Sequence, residues 1–234
     1  MDKTTDVLAH TLQDVLGQLT NAASAAGRPT PRLLAVSKTQ PADRVAALAA
    51  AGQRAFGENY VQEAAAKIGE LAALGLEWHL IGHLQSNKAK DAAALFDWVQ
   101  TVDRPKLVTA LAHHRPSNRP PLNVLVQVNI DDEASKHGCR PEEIVPLARA
   151  IAAEPRLRLR GLMAIPTPWP DLEQRRAAFA RVRQLYEAMR EAHPEVDTLS
   201  MGMSEDHAVA IAEGATMVRV GTALFGRRPP PTQS

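Results

Sequence analysis

Apolar residues first recur at helical spacing, with Val7, Leu8, Leu12, Val15, Leu16 and Leu19 on one side of a segment that Gly27 and the Pro29–Pro31 stretch bring to a stop. This pattern predicts an amphipathic helix over 3–26. Beyond it the pattern changes to short, continuously apolar runs, LLAVS at 33–37, AFGEN at 55–59, WHLIG at 78–82 and WVQTV at 98–102. NVLVQVNI at 123–130, LRGLMAI at 159–165, TLSMG at 198–202 and MVRVG at 217–221 continue the series. Runs that are apolar throughout, rather than alternating, are those of parallel strands covered on both faces. Ala-rich helical stretches separate them at 41–51, 60–74, 86–95, 104–114, 141–153, 171–192 and 205–213, and a Pro-rich loop lies at 115–121. Eight βα units without a second lobe predict a single α/β domain, a (β/α)8 TIM barrel with an extra N-terminal helix, in preference to a doubly wound open sheet. The expected organisation is a helix over 1–28 packing on the barrel, the barrel over 29–228, and a flexible tail over 229–234 that carries three consecutive prolines.

Composition narrows the function classes. The chain has 234 residues, with 27 Lys and Arg against 26 Asp and Glu, so no bulk positive field draws it to nucleic acid or anionic lipid. Cys139 is the single cysteine and has no intrachain disulfide partner. No apolar run approaches the roughly 20 residues needed to span a bilayer. The N-terminus carries acidic residues where a signal peptide has an apolar core. A cytoplasmic protein with small-molecule partners is expected. No His or Cys spacing matches a metal site.

Barrel enzymes and binding proteins carry their chemistry where strands end and βα loops begin. Lys38 follows the first strand, and apolar walls there would disfavour its charged form and make it a competent Schiff-base amine; a solvated strand-end lysine fits as well. Ser204 is expected at the N-terminus of the helix after strand seven, where unpaired N–H groups favour an anion. After strand eight, Gly221 permits close backbone approach and Thr222 adds a hydroxyl and an N–H. Together these loops match the phosphate cradle of such barrels, although helix capping and a tight turn explain each residue singly. Arg219, between Val218 and Val220, needs a partner at the barrel mouth, either a carboxylate or a ligand. Glu58, Asn59, His79 and His83 fall at the ends of strands two and three, where His79 also fits as a satisfied core histidine and His83 and Gln85 as caps of the next helix.

Six segments then carry a resemblance: AVSKTQPA (35–42), FGENYVQE (56–63), WHLIGHLQSNKAK (78–90), VNIDDEASKHG (129–138), LSMGMSEDH (199–207) and MVRVGTALFG (217–226). In order and without large gaps over about residues 30–226, they resemble the YggS/PROSC family of pyridoxal phosphate homeostasis proteins. The resemblance implies the fold of the alanine racemase N-terminal domain, a fold-type III barrel for pyridoxal 5′-phosphate (PLP). By the same resemblance, Lys38 corresponds to the lysine that holds PLP covalently as an internal aldimine. Ser204, Gly221 and Thr222 correspond to the phosphate ligands, and Arg219 to the arginine facing the pyridine nitrogen. Asn59, His79 and Met201 correspond to pocket walls beside the ring. Asp131 and Asp132 lie where the family varies.

The expected function is a PLP carrier in intracellular homeostasis rather than an enzyme, with PLP-dependent apo-enzymes as recipients and a monomer or weak dimer as the assembly. An always-charged Arg219 would leave the ring nitrogen unprotonated and weaken the cofactor as an electron sink. The chain ends soon after Gly221, and neither Tyr60 nor Tyr186 occupies the position of a racemase's C-terminal tyrosine. The alternatives are a PLP-dependent racemase using Lys38 as a base, and a Schiff-base aldolase for a phosphorylated sugar, which leaves Arg219 without a role. Lys136, Arg227 and Arg228 are candidates for a second anion site or for solvated surface.

Overall fold

The computed structural model describes residues 3–131, 133 and 136–226. Helix α1 (Lys3–Ala25) precedes eight units: β1 (Arg32–Val36), α2 (Ala42–Ala50), β2 (Ala55–Glu58), α3 (Val61–Glu70), β3 (Glu77–Leu80), α4 (Ala89–Leu95), β4 (Trp98–Val102) and α5 (Pro105–His114) form the first half. The second half is β5 (Leu122–Val128), α6 (Ile144–Ala152), β6 (Leu157–Ala164), α7 (Leu172–Ala192), β7 (Thr198–Ser200), α8 (His207–Ala212), β8 (Met217–Val220) and α9 (Thr222–Phe225). The strands lie in sequence order, all neighbours are parallel, and β8 pairs with β1 to close the barrel. The closed (β/α)8 architecture is the one the apolar runs predict.

The boundaries differ in instructive places. The expected helix over 60–74 stops at Glu70, followed by a short 3-10 turn at 72–74 that Gly75 ends in the left-handed region. The helix after strand seven starts at His207 rather than 205, because residues 204–206 form a turn in which Asp206 Oδ1 accepts the Met203 N–H at 2.6 Å. Helix α7 begins where Asp171 accepts the Gln174 N–H at 2.8 Å, a side-chain N-cap. Helix α9 is too short for its apolar period to stand out in the sequence.

Successive side chains of a strand point to opposite faces, and the barrel sorts them into two compartments. Outward residues such as Leu33, Ala35, Val99, Val124, Val126, Leu199 and Val218 join one large apolar layer with the surrounding helices. Helix α1 belongs to that layer: it packs on α2, α8 and α9, burying Leu8, Leu12, Val15, Leu19 and Ala23. Val7, expected on the same face, is exposed. Inward residues form two small separate apolar clusters, Leu34–Ala55–Met217 and Trp98–Leu125–Met163. Between them the interior is polar.

The Pro-rich loop after α5 is held by Arg115, which is 2% exposed. Its Nε donates to Pro120 O at 2.8 Å, and its Nη1 to Ala93 O at 2.7 Å and Phe96 O at 2.8 Å. Burial draws its pKa down to about 10, so the group stays charged at neutral pH. It thus fastens α4, the connection from α4 to β4 and the loop before β5 with one side chain. Arg115→Met leaves three carbonyls without their donor, those of Ala93 and Phe96 buried, and we expect a loss of about 2–4 kcal/mol. The measurement is the urea midpoint at unchanged slope; a shift below about 0.5 kcal/mol would show that water replaces the guanidinium.

Candidate functional site

Lys38 sits in the turn that ends β1, half-buried at the C-terminal mouth of the barrel. Alternation along β1, with Leu33 and Ala35 outward and Leu34 inward, puts the Lys38 position on the inner side. The peptide groups on either side of it are fixed from outside the barrel wall. Lys67, one turn from the end of α3, donates to the Ser37 carbonyl at 2.7 Å, to Glu58 Oε1 at 2.8 Å and to Glu63 Oε1 at 2.9 Å. Glu63 in turn accepts the Thr39 N–H at 2.5 Å, and Ser37 Oγ donates to Glu58 Oε1 at 2.5 Å. Thr39 adopts φ +64°, a left-handed conformation costly for a β-branched residue, which this cluster holds in place. Burial pushes the Glu58 carboxyl up, and the hydrogen bonds from Lys67 and Ser37 oppose that shift. Lys67 lies outside the six matching segments and carries no motif of its own; its spacing of four from Glu63, the last residue of FGENYVQE, on a helix after strand two is its signal in the sequence.

Arg219 points into the barrel from β8 and is 4% exposed. Its Nη1 donates to Ser200 Oγ at 2.8 Å and its Nη2 to Ala164 O at 2.9 Å. The ion pair with a rim carboxylate, one of the two expectations for Arg219, is not formed among the described residues. Burial lowers its pKa to about 10, against the opposing influence of Asp206, and the guanidinium remains charged at neutral pH. Five N–H donors and two acceptors leave part of the group available to a ligand.

Gly221 follows β8 beside Val36, on the same inner side as Arg219 and Lys38. A side-chain carbon there would stand 3.3 Å from both Val36 Cβ and Val36 O, so the glycine lets the end of β8 press against β1. Thr222 starts α9 and is exposed, as its place at the rim requires. Ser204 is also at the rim, partly exposed, but in the turn before α8; Asp206, not Ser204, stands at the N-cap position. Gly202 makes this loop possible: its φ is +92°, a side chain there would lie 2.6 Å from Ala210 Cβ, and its carbonyl accepts the Arg219 N–H at 3.0 Å.

Two of the expected wall residues are fully buried. Met201 is fully buried with Leu199 and Val218 in the outer strand–helix layer, because the alternation that turns Ser200 inward turns Met201 outward. His79 is fully buried inside the barrel, stacked on Trp98 with ring centroids 5.0 Å apart. Its Nδ1 lies 2.9 Å from Gln100 Nε2 and its Nε2 lies 2.7 Å from Glu77 Oε1, so it reaches Arg219 only through Gln100 and Ser200. Burial holds its pKa below the ordinary histidine range. Asn59 lines a cavity of about 490 Å³ with Tyr60, His83, Gln85, Lys88 and His137. His83 stacks on His137 rather than capping a helix. Lys136 is engaged by Asp131 at 3.3 Å and Glu133 at 3.4 Å, which opposes its use as an anion site. Arg227, Arg228, Asp132 and the expected tail over 229–234 lie outside the described residues. No group of three or more metal-ligating side chains occurs among the described residues, and no described helix is long and apolar enough to cross a membrane.

Residues 12–229 match the family described as alanine racemase, N-terminal domain. The pyridoxal phosphate homeostasis protein of Pseudomonas aeruginosa is 53% identical over 223 residues, covering 94% of this chain and 96% of that protein. The protein of the same name from Escherichia coli K12 is 50% identical over 226 residues, covering 94% and 97%. The structure of PipY from Synechococcus elongatus PCC7942, with PLP bound, superposes with a TM-score of 0.80 at 38% identity, over 94% of this chain and all of that one. With the closed barrel, the inward arginine of β8 and the lysine at the end of β1 in place, the chain belongs to the alanine racemase N-terminal domain family and, within it, to the pyridoxal phosphate homeostasis proteins.

Proposed function

We propose that this protein binds PLP covalently at Lys38 and serves as a carrier in intracellular PLP homeostasis, without enzyme-like turnover of amino acids. The observation that supports the reading is the pairing of β1 with β8: Arg219 lies within that ladder, buried, and Gly221 and Lys38 follow the C-terminal ends of the two strands. These residues fit the cofactor. Arg219 offers buried, charged N–H donors suited to a ring nitrogen, and Gly221 leaves bare backbone beside Val36. Ser204 and Thr222 contribute hydroxyls at the rim for a phosphate, and Lys38 contributes a primary amine. When bound, PLP supplies an aldehyde that condenses reversibly with that amine.

The chain's own residues explain holding better than catalysis. The Lys67–Glu58–Glu63 cluster fixes the backbone around Lys38. Arg219 stays protonated and donates, so it gives the ring nitrogen no proton and favours retention over carbanion stabilisation. Tyr186 is buried in α7 against Gly161, and Tyr60 is 64% exposed at the start of α3, which leaves neither in the position of an enclosed second base. Recipient apo-enzymes in the cytoplasm, and a monomer or weak dimer as the working assembly, complete the proposal.

Three measurements test it. With PLP the protein should turn yellow, and borohydride should fix the cofactor to the peptide containing Lys38. Lys38→Ala should lose that label and retain PLP at least about tenfold less tightly; equal retention removes Lys38 from the site. Ser204→Ala and Thr222→Ala should each weaken PLP by about fivefold while leaving pyridoxal, which lacks the phosphate, nearly unaffected. Equal losses for both ligands count against the phosphate assignment. In deuterated water, L- and D-amino acids should show no α-proton exchange at enzyme-like rates, and turnover of about 1 per second or faster would establish an enzyme instead.

A further inference from the structure

The polar strip inside the barrel has a fixed direction. It runs from Arg219 through Ser200, Gln100 and His79 to Glu77, which also receives Arg32 Nη2 at 2.7 Å at the N-terminal end of the barrel. Arginine can only donate and an ionised carboxylate can only accept, so the two ends are chemically unlike. Burial works against ionising Glu77, but the hydrogen bond from His79 and the nearby Arg32 outweigh it and draw its carboxyl down to about 2. With those ends set, one assignment satisfies every link. Ser200 Oγ accepts from Arg219 and passes its own hydrogen to Gln100 Oε1 at 2.7 Å. Gln100 therefore presents its NH2 to His79 Nδ1 at 2.9 Å and to Met217 Sδ at 3.2 Å. His79 is then the neutral tautomer with hydrogen on Nε2, donating to Glu77 at 2.7 Å.

Ser200, Gln100 and His79 are all fully buried, so no water substitutes for a missing link without opening the interior. Imidazole stacking on Trp98 fixes the plane of His79 and with it the direction in which Gln100 must lie. The guanidinium of Arg219 is thus oriented by an ordered chain rather than by a carboxylate touching it.

We infer that Ser200, Gln100 and His79 are positioning residues, which through this one-way chain anchored on Glu77 aim the Arg219 guanidinium at the ring nitrogen of the bound cofactor. The inference rests on the proposed PLP site. Its test has two arms, one of which needs no cofactor. Histidine 15N correlation spectra of the protein without PLP at pH 7 should show His79 with its hydrogen on Nε2. In Gln100→Glu, whose carboxylate can only accept, a second hydrogen should appear on His79 Nδ1. An Nδ1–H tautomer or an imidazolium in the unmodified protein overturns the chain.

The second arm compares PLP with the carbocyclic analogue in which CH replaces the ring nitrogen. Ser200→Ala, with unchanged circular dichroism, should lose about tenfold in affinity for PLP and less than twofold for the analogue. Equal losses, or none, overturn the positioning role while PLP binding by the unmodified protein keeps the proposed function standing. Failure of the unmodified protein to bind PLP overturns both. Should Ser200→Ala not fold, Gln100→Glu read against the same two ligands supplies the comparison, with the same outcomes deciding.

Discussion

A guanidinium enclosed by eight strands must find its acceptors inside the barrel, and much of this interior is organised by that requirement. Desolvating such a cation costs several kcal/mol. Hydrogen bonds to a charged group return about 1.5–3 kcal/mol each when well formed. Among the described residues Arg219 reaches one backbone carbonyl, Ala164 O, and otherwise depends on Ser200. Ser200 needs an acceptor for its own hydrogen, which brings in Gln100, and Gln100 needs His79. The polar strip separates the inward apolar residues into two small clusters, so the large apolar layer lies outside the barrel wall, between strands and helices. Helix α1 adds to that outer layer, and its place there follows from where the apolar burial has to be made.

Lysine and arginine are supported by different means. Beneath Lys38, charges do the work: Lys67, Glu58 and Glu63 lie between the strands and α3 and hold the peptide groups around the lysine, including the left-handed Thr39. Beneath Arg219, neutral groups do it, and the carboxylate stands at the far end of the chain. The difference has a chemical consequence. A carboxylate touching Arg219 would neutralise its field and compete for its donors; a serine hydroxyl leaves the charge in place and takes one N–H.

That arrangement agrees with the proposed carrier role. An arginine can donate to a ring nitrogen without giving up its proton. Bare backbone at Gly221, close against Val36, and the positive-φ turn that Gly202 permits shape the rim loops where a phosphate would be received.

The sequence by itself determined the eight parallel strands, their order and the helices between them, because continuous apolar runs and helical periods are local properties of the chain. It also marked Lys38, Arg219, Gly221 and Thr222, which stand at strand ends and beside telling neighbours. Tertiary structure decided what no local pattern encodes. Met201 turned outward because Ser200, its neighbour, faces in, and His79 became a link in the interior rather than a wall of the mouth. Ser204 moved from a helix N-terminus to a turn because Asp206 took the Met203 N–H. Lys67, Gln100 and Ser200 gained their roles only when strands and helices distant in sequence met across a closed barrel, since hydrogen-bond partners separated by a hundred residues or more leave no periodic trace.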